Sequence, residues 1–571
     1  MSYGGLINTV TKKPYNGFGG EVSYLAGSFG LNRVTADINT PLDDADNVLF
    51  RINTAYQTEN SFQDAGFRTS FFVAPSLSYK VNDKLSFLIN TELMLEEKTT
   101  PSMLFLGRDS ALQYANLAEL NYNTDLSFYS NDLSIKNPRY SLQGQMTYKI
   151  SDQWTSQTVL SRSSSKSRGY YTYIYDNEDG NKDFGFNITK EQSQTVTTDI
   201  QQNFIGDFKI GSMRNRLVAG FDYFERNVMS GGSGYGKLYN ITAQGEVRQL
   251  NAANPYYLTQ TSVDKLLANE PAGNFNPKDA TYSVYASDVL NITSKLLAMA
   301  SLRVDYFDTK GDIKNKNDDY TQTALSPKFG LLYQPVEDKL AVFANYMNGF
   351  RNIAPAVSYD TDGNLIGSKT FEAEHANQLE FGVKATIFED KLNATVSYYN
   401  INVANLVTSN PLYSSQGGEA QSKGFEFDLN AAPIKGLSII AGYSYNDSKI
   451  TKGDVGNVWL EQGKRPFWSG PKNLVNLWVT YKFEEGTLEN FGIGFGGNYA
   501  SENAILDSSK TGKFVLPDYT VINGSVFYNS NKFRVAFNIN NIANKDYFNG
   551  GWSTLNPQKP RNVVASFAYK F

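Results

Sequence analysis

The chain has no cysteine and a single histidine, His375, among its 571 residues. The first absence excludes disulfides and fits an exported protein that does not rely on them. The second leaves any Ser-His-Asp arrangement with one candidate imidazole. One imidazole also makes no metal site without partners. Gly-x-Ser-x-Gly is missing, and no carboxylate pair at catalytic spacing stands apart from the other acids. An enzyme, a resident metal and a cofactor are therefore not predicted. No basic cluster accompanies the net charge of −5, which argues against nucleic acid as a partner. No apolar run reaches the roughly 18 residues of a membrane-spanning helix, and mean hydropathy is −0.40. No Pro/Ser-rich linker divides the chain, and no short repeat of fixed period suggests a propeller. Met1-Ser2-Tyr3-Gly4-Gly5 lacks the basic and apolar regions of a signal peptide. The natural N-terminus of an exported protein is then expected upstream.

What is abundant is aromatic: 37 Tyr and 37 Phe, beside 46 Gly. They fall on alternate positions. In 562–571, Val563, Ala565, Phe567, Tyr569 and Phe571 share one face of a strand, and Asn562, Ser566 and Lys570 take the other. In 296–306, Leu296, Ala298, Ala300, Leu302, Val304 and Tyr306 oppose Met299, Ser301, Arg303 and Asp305. In 378–387, Leu379, Phe381, Val383, Ala385 and Ile387 oppose Gln378, Glu380, Gly382, Lys384 and Thr386. In 533–540, Phe533, Val535, Phe537 and Ile539 oppose Arg534, Ala536, Asn538 and Asn540. Charges are costly in hydrocarbon, so the apolar face meets lipid and the charged face a wet lumen. Tyr443, Tyr445, Tyr481 and Phe483 fit an interfacial girdle.

Gaps between these stretches alternate in length. Short ones, such as 81–84, 151–153, 293–295, 388–391, 433–436 and 529–532, carry turn residues and read as hairpins. Long ones lie near 96–137, 164–191, 226–279, 347–376, 447–472, 501–517 and 540–559. Short turns face the periplasm and long loops the exterior in barrels of the outer membrane, which puts both termini in the periplasm. The predicted fold is all-β: an antiparallel transmembrane β-barrel of about 22 strands, a size at which barrels are plugged transporters. The segment 262–270 is predicted as a short helix inside the longest loop. The acidic runs 43–46 and 176–180 are predicted as a turn and a solvated loop.

Several segments resemble TonB-dependent receptors, in family order. Tyr3 to Pro14 is similar to the end of that family's plug domain. Leu325 to Pro335, Asn345 to Arg351, Glu374 to Lys384, Ser422 to Phe427 and Asn540 to Tyr547 resemble successive barrel segments, and the chain ends on the terminal Phe571. The resemblance implies a 22-stranded barrel (17–571), with residues 1–16 a remnant of the plug, including Gly4 and Gly5. Leu6, Ile7 and Val10 would pack in a small lumenal sheet. Phe567, Tyr569 and Phe571 would form the signal read by the barrel-assembly machinery. It further implies a monomer in the lipid of a Gram-negative outer membrane, driven in its full-length form by the TonB-ExbB-ExbD complex. Most of the plug, and the periplasmic box, are not in this chain.

Within the family the segments favour the ferric-siderophore branch. A compact, polar, often anionic iron chelate calls for aromatic walls and a few cationic or hydrogen-bonding groups. The candidates are Tyr171, Tyr173, Tyr175, Tyr235, Phe350, Arg351, Trp459, Arg465, Trp468 and Trp552, all in predicted outer loops. Phe350-Arg351-Asn352-Ile353-Ala354-Pro355 only approximates the Phe-Arg-Ala-Pro motif of haem receptors. The alternatives are a passive porin-like channel and TonB-dependent uptake of haem, cobalamin or carbohydrate.

Overall fold

A computed structural model describes residues 5, 7–180, 182–247, 258–311, 318–359, 365–389, 391–409 and 414–571. Gly4 and Leu6 lie outside them. Twenty-two strands form one closed antiparallel barrel, from Gly19–Gly27 to Asn562–Lys570. These two strands close it, in register from Glu21↔Lys570 to Gly27↔Val564. A closed sheet leaves no unpaired edge in the bilayer, where an orphaned backbone group would cost several kcal/mol.

The alternating faces emerge as expected. Leu302, Val304 and Tyr306 are exposed on the outer surface, as are Leu379, Phe381, Val383, Phe533, Val535 and Phe537. On the lumenal side Asp222, Ser283 and Asp305 stand in one cross-strand row. Arg303 donates to Asp222 (3.0 Å), Asp305 (2.8 Å) and Ser283 (2.7 Å), so a charge cluster that lipid would reject is satisfied inside. At the chain's end Val563, Phe567, Tyr569 and Phe571 are exposed, and Phe571 lies 5.6 Å from Phe18. Gly20 exchanges two backbone hydrogen bonds with Phe571. A Cβ on Gly20 would sit 2.3 Å from the Asp37 carbonyl, so only glycine lets the strands meet there.

Some gaps differ from the expectation. The predicted loop at 164–191 is largely a tall hairpin of Trp154–Asp176 and Asp183–Ile210. The alternative reading of Tyr171, Tyr173 and Tyr175 as the outer end of a tall strand is the one the ladder follows, and it can rise above the lipid. Outer turns at 28–30 and 61–66 are short. A helix does form in the longest loop, at Gln260–Leu267, capped by Thr259 with Val263 and Leu267 buried.

Among the described residues, 7–16 carry no strand, and Ile7 (95 % exposed) and Val10 (73 %) do not pack in a lumenal sheet. Polar contacts hold this segment to the wall instead. Lys12 meets Asp37 at 2.7 Å, and Arg51 donates to both Asp37 oxygens and to the Lys13 carbonyl. Asn39 donates to the Tyr15 carbonyl and accepts from the Tyr15 N–H.

Candidate ligand-binding vestibule

Above the barrel, the loops build a hydrophobic core of their own. Leu104, Leu106 and Leu133 from one loop meet Ile174, Phe184, Phe186 and Ile188 of the tall hairpin, and Ile505 and Phe514 of the loop hairpin Asn503–Leu516. Fully burying a side chain of this size is worth about 1.5–3 kcal/mol, so the loops are pinned as a structured cap. Polar ties reinforce it. Tyr114 donates to Asp176, and burial next to that carboxylate holds the phenol far above its ordinary pKa. The acidic run 176–180 is therefore not simply solvated. Glu178 accepts the Arg108 (2.9 Å) and Asp109 (3.0 Å) backbone N–H groups, joining two loops.

The core takes one face of the tall hairpin and leaves the other to the vestibule. The hairpin ladder runs without a register shift from Trp154 to Asp176. Above Gly169 the side chains alternate between two faces. Tyr170 and Ile174 are covered by loop residues; Tyr171, Tyr173 and Tyr175 alternate with them on the opposite face. Tyr173 lies 5.3 Å from Tyr235, 5.6 Å from Phe105 and 6.4 Å from Tyr171. Arg108 spans the gap to a second group, 5.5 Å from the Phe105 ring and 4.7 Å from that of Trp459. Trp459 lies 5.7 Å from Trp552, and Trp552 stacks on Trp468 at 5.5 Å, with Phe467 packed against all three.

Trp552 and Ser553 both hold positive φ, 56° and 60°, at the tip of the hairpin Phe548–Pro557. A two-residue turn of this kind favours Asn-Gly, and a bulky residue there is strained. Arg108 donates to the Trp552 carbonyl (3.0 Å) and the Ser553 hydroxyl (2.8 Å), and the Ser553 N–H donates to Ile505. These bonds hold the turn that brings the Trp552 indole into the cluster.

Arg351, Glu374, Trp459, Trp468 and Trp552 line a cavity of about 450 Å³. Glu374 is 1 % exposed and receives the Arg351 guanidinium at 2.8 Å, while 62 % of the Arg351 side chain stays accessible. Burial raises the pKa of Tyr171, Tyr173 and Tyr235, and pushes Tyr175 up to about 12 with help from Glu178. The phenols therefore stay protonated and act as hydrogen-bonding, stacking surfaces.

Tyr171, Tyr173, Tyr235, Trp459, Trp468, Trp552 and Arg351 thus come together along one face, and Tyr175 extends it. Phe350 does not join them. It is buried in a small core with Ala324, Ala373 and Phe307. Arg465 is taken up by the Asn446 carbonyl and side chain and by the Gly470 carbonyl, so it braces the loop that carries Trp468. His375 stands opposite Phe350 in the strand ladder. Phe105 and Arg108 were not singled out from the sequence. An aromatic residue followed three positions on by an arginine is too common to mark a site.

The comparisons with known proteins agree with this architecture. Residues 96–542 match the family described as TonB dependent receptor-like, beta-barrel. The metal-pseudopaline receptor CntO of Pseudomonas aeruginosa is 26 % identical over 598 residues, covering all of this chain and 77 % of that protein. The ferrichrome outer membrane transporter/phage receptor of Escherichia coli K12 is 23 % identical over 620 residues, covering 100 % of this chain and 76 % of that protein. The solved ferric-catecholate import receptor Fiu of E. coli K12 superposes with a TM-score of 0.80 at 19 % identity, over 98 % of this chain and 83 % of its own, a likeness of fold. With the family matched over most of its length and 22 strands closed into a barrel, this chain belongs to the TonB-dependent receptors of the bacterial outer membrane.

Proposed function

We propose that this chain receives a ferric siderophore at its vestibule and passes it through the barrel, driven by the TonB complex when the plug and its periplasmic box are present. Residues 1–16 then belong to the plug's last segment, the barrel starts at 17, and the barrel-assembly machinery reads Phe567, Tyr569 and Phe571. The receptor acts as a monomer. The observation that carries the reading is the convergence of aromatic residues from separate outer loops. Phe105, Tyr173, Tyr235, Trp459, Trp468 and Trp552 come from loops far apart in the chain and have neither a hydrophobic core nor a lipid contact to explain them. Such a wall suits the planar, partly apolar faces of an iron chelate, whose ligand atoms shield the metal. The reading is supported by two relatives, a metal-pseudopaline receptor and a ferrichrome transporter.

The test is quenching of intrinsic tryptophan fluorescence in the purified barrel, titrated with ferric chelates and their iron-free forms. Three of the chain's five tryptophans stand in the vestibule, so a bound chelate reports directly. Saturable quenching by ferric forms, weakened about tenfold in Trp468→Ala, is expected from the loss of a stacking contact worth about 1.5 kcal/mol. Absence of saturation, together with free diffusion of sugars in reconstituted vesicles, would favour a passive channel.

A further inference from the structure

The proposed ligand site contains a cation that its surroundings leave unneutralised. Arg108 stands between the rings of Phe105 and Trp459. Its Nε donates to the Ser553 hydroxyl and one Nη2 proton to the Trp552 carbonyl, both uncharged acceptors. Guanidinium carries five N–H donors; among the described residues the Nη1 group has no hydrogen-bond partner, and no carboxylate lies within ion-pair distance of this side chain. The acids around it are committed elsewhere. Glu178 accepts two backbone N–H groups and the Tyr175 hydroxyl, and Asp109 pairs with Lys510 at 3.2 Å. Burial disfavours the charged form of Arg108, and Tyr175, Asp109 and Glu178 oppose that only at a distance.

Arg351 lines the same cavity as Trp459 and Trp552. Its Nη2 meets Glu374, while among the described residues its Nε and Nη1 groups have no hydrogen-bond partner. Two guanidinium groups therefore border one indole cluster, and only Arg351 is paired with a buried carboxylate. A half-buried cation without a counter-charge is costly unless an anion completes it.

We propose that Arg108, with Arg351, selects negatively charged metal chelates, whose carboxylate or catecholate oxygens accept from the free guanidinium N–H groups while the chelate face lies on Trp459. This rests on the receptor reading above and goes further, to the charge class of the ligand. Arginine suits the task because it keeps its charge when buried and donates along two parallel directions. Arg108 is the specificity-determining residue of the pair, because Arg351 already has Glu374 as its counter-charge.

The experiment compares two probes on the purified full chain by tryptophan quenching: the anionic ferric tris-catecholate of dihydroxybenzoate and the uncharged ferric tris-acetohydroxamate. The wild type is expected to bind the anionic complex more tightly, with a preference that shrinks as salt is raised. In Arg108→Gln the anionic probe should weaken about tenfold or more, the loss of one charge-assisted hydrogen bond, with the neutral probe almost unchanged. Arg108→Lys should recover part of the preference. Equal weakening of both probes would mean that Arg108 only supports the Trp552 turn, and would overturn the proposal. So would an unchanged preference in Arg108→Gln. Binding of neither probe, nor of any other ferric chelate, by the wild type would instead sink the receptor reading itself. Circular dichroism of each variant confirms that the barrel has folded.

Discussion

The barrel wall and the loop cap use the same side chains in opposite ways. In the wall Leu331, Phe381 and Phe495 are more than half exposed, while Ser326 and Asp305 are buried. In the cap Phe184, Phe186 and Phe514 are fully buried, and charges such as Asp109 and Lys510 lie at the surface. The difference is one of solvent. Hydrocarbon surrounds the wall, so an outward phenylalanine loses nothing by exposure and an outward charge loses much. Water surrounds the cap, so burial of apolar area drives it as in any soluble domain.

The largest expected effect separates the two regions by truncation. Phe514→Ala leaves a cavity in the cap and should cost about 3–5 kcal/mol of local stability. Hydrogen exchange at 503–516 would accelerate while the wall strands stay protected. The same truncation in the wall, Phe381→Ala, should have far less effect, since lipid fills the space. If the two cost the same, the two-solvent picture fails. Next in size is Phe381→Arg, midway along its strand, which should destabilise the barrel by about 2–4 kcal/mol in denaturant titrations within bilayers.

The smallest effect concerns pH and belongs to the cap alone. Asp264, on the loop helix, meets Lys190 at 2.8 Å and accepts from the Tyr170 hydroxyl. Lys190 chiefly, then Tyr170, lowers the Asp264 pKa, and Asp264 chiefly raises that of Lys190. A depressed carboxylate contributes stability above its unfolded value of about 4, lost as pH falls through the lower folded value. A raised ammonium contributes below its unfolded value of about 10.4, lost as pH rises through the higher folded one. Both side chains are nearly half exposed, so solvent screens the pair. Exchange in the helix 260–267 should be slowest on a broad neutral plateau and rise slightly at both extremes. In Lys190→Met the plateau should flatten.

The wall was legible in the sequence because it obeys a rule of period two. Arg303 and Asp305 could be turned inward from their neighbours alone, and the structure gives them Asp222 and Ser283 as partners on adjacent strands. The cap was only half legible. Its aromatic residues could be named, and Tyr173, Tyr235, Trp459, Trp468 and Trp552 do gather. Their gathering depends on contacts between distant loops, such as Arg108 with Ser553, 445 positions apart. No local pattern encodes that pairing. Phe350 was misjudged as a site candidate for a similar reason: alternation shows that Phe350 and Arg351 point apart, but not which of them faces the cavity. The height of the hairpin 154–210 was hidden because polar residues are permitted on both faces once a strand has left the lipid.

The seam where the last strand meets the first has a kinetic consequence. It joins Val563 to Ser28 across 535 positions. Every other wall contact is between consecutive strands, so this one closes the longest loop in the molecule and has the largest chain entropy to overcome. Its ladder is seven residue pairs, against twenty-three in the tall hairpin. Before it forms, two bare edges face the membrane, each able to pair with a foreign strand. The final step of folding is therefore also the step at which the open sheet is most vulnerable to aggregation. Afterward, the seam remains one of the shorter joints through which the cylinder can be unzipped, secured by Arg534 on Glu21 and by the Gly20–Phe571 backbone pair.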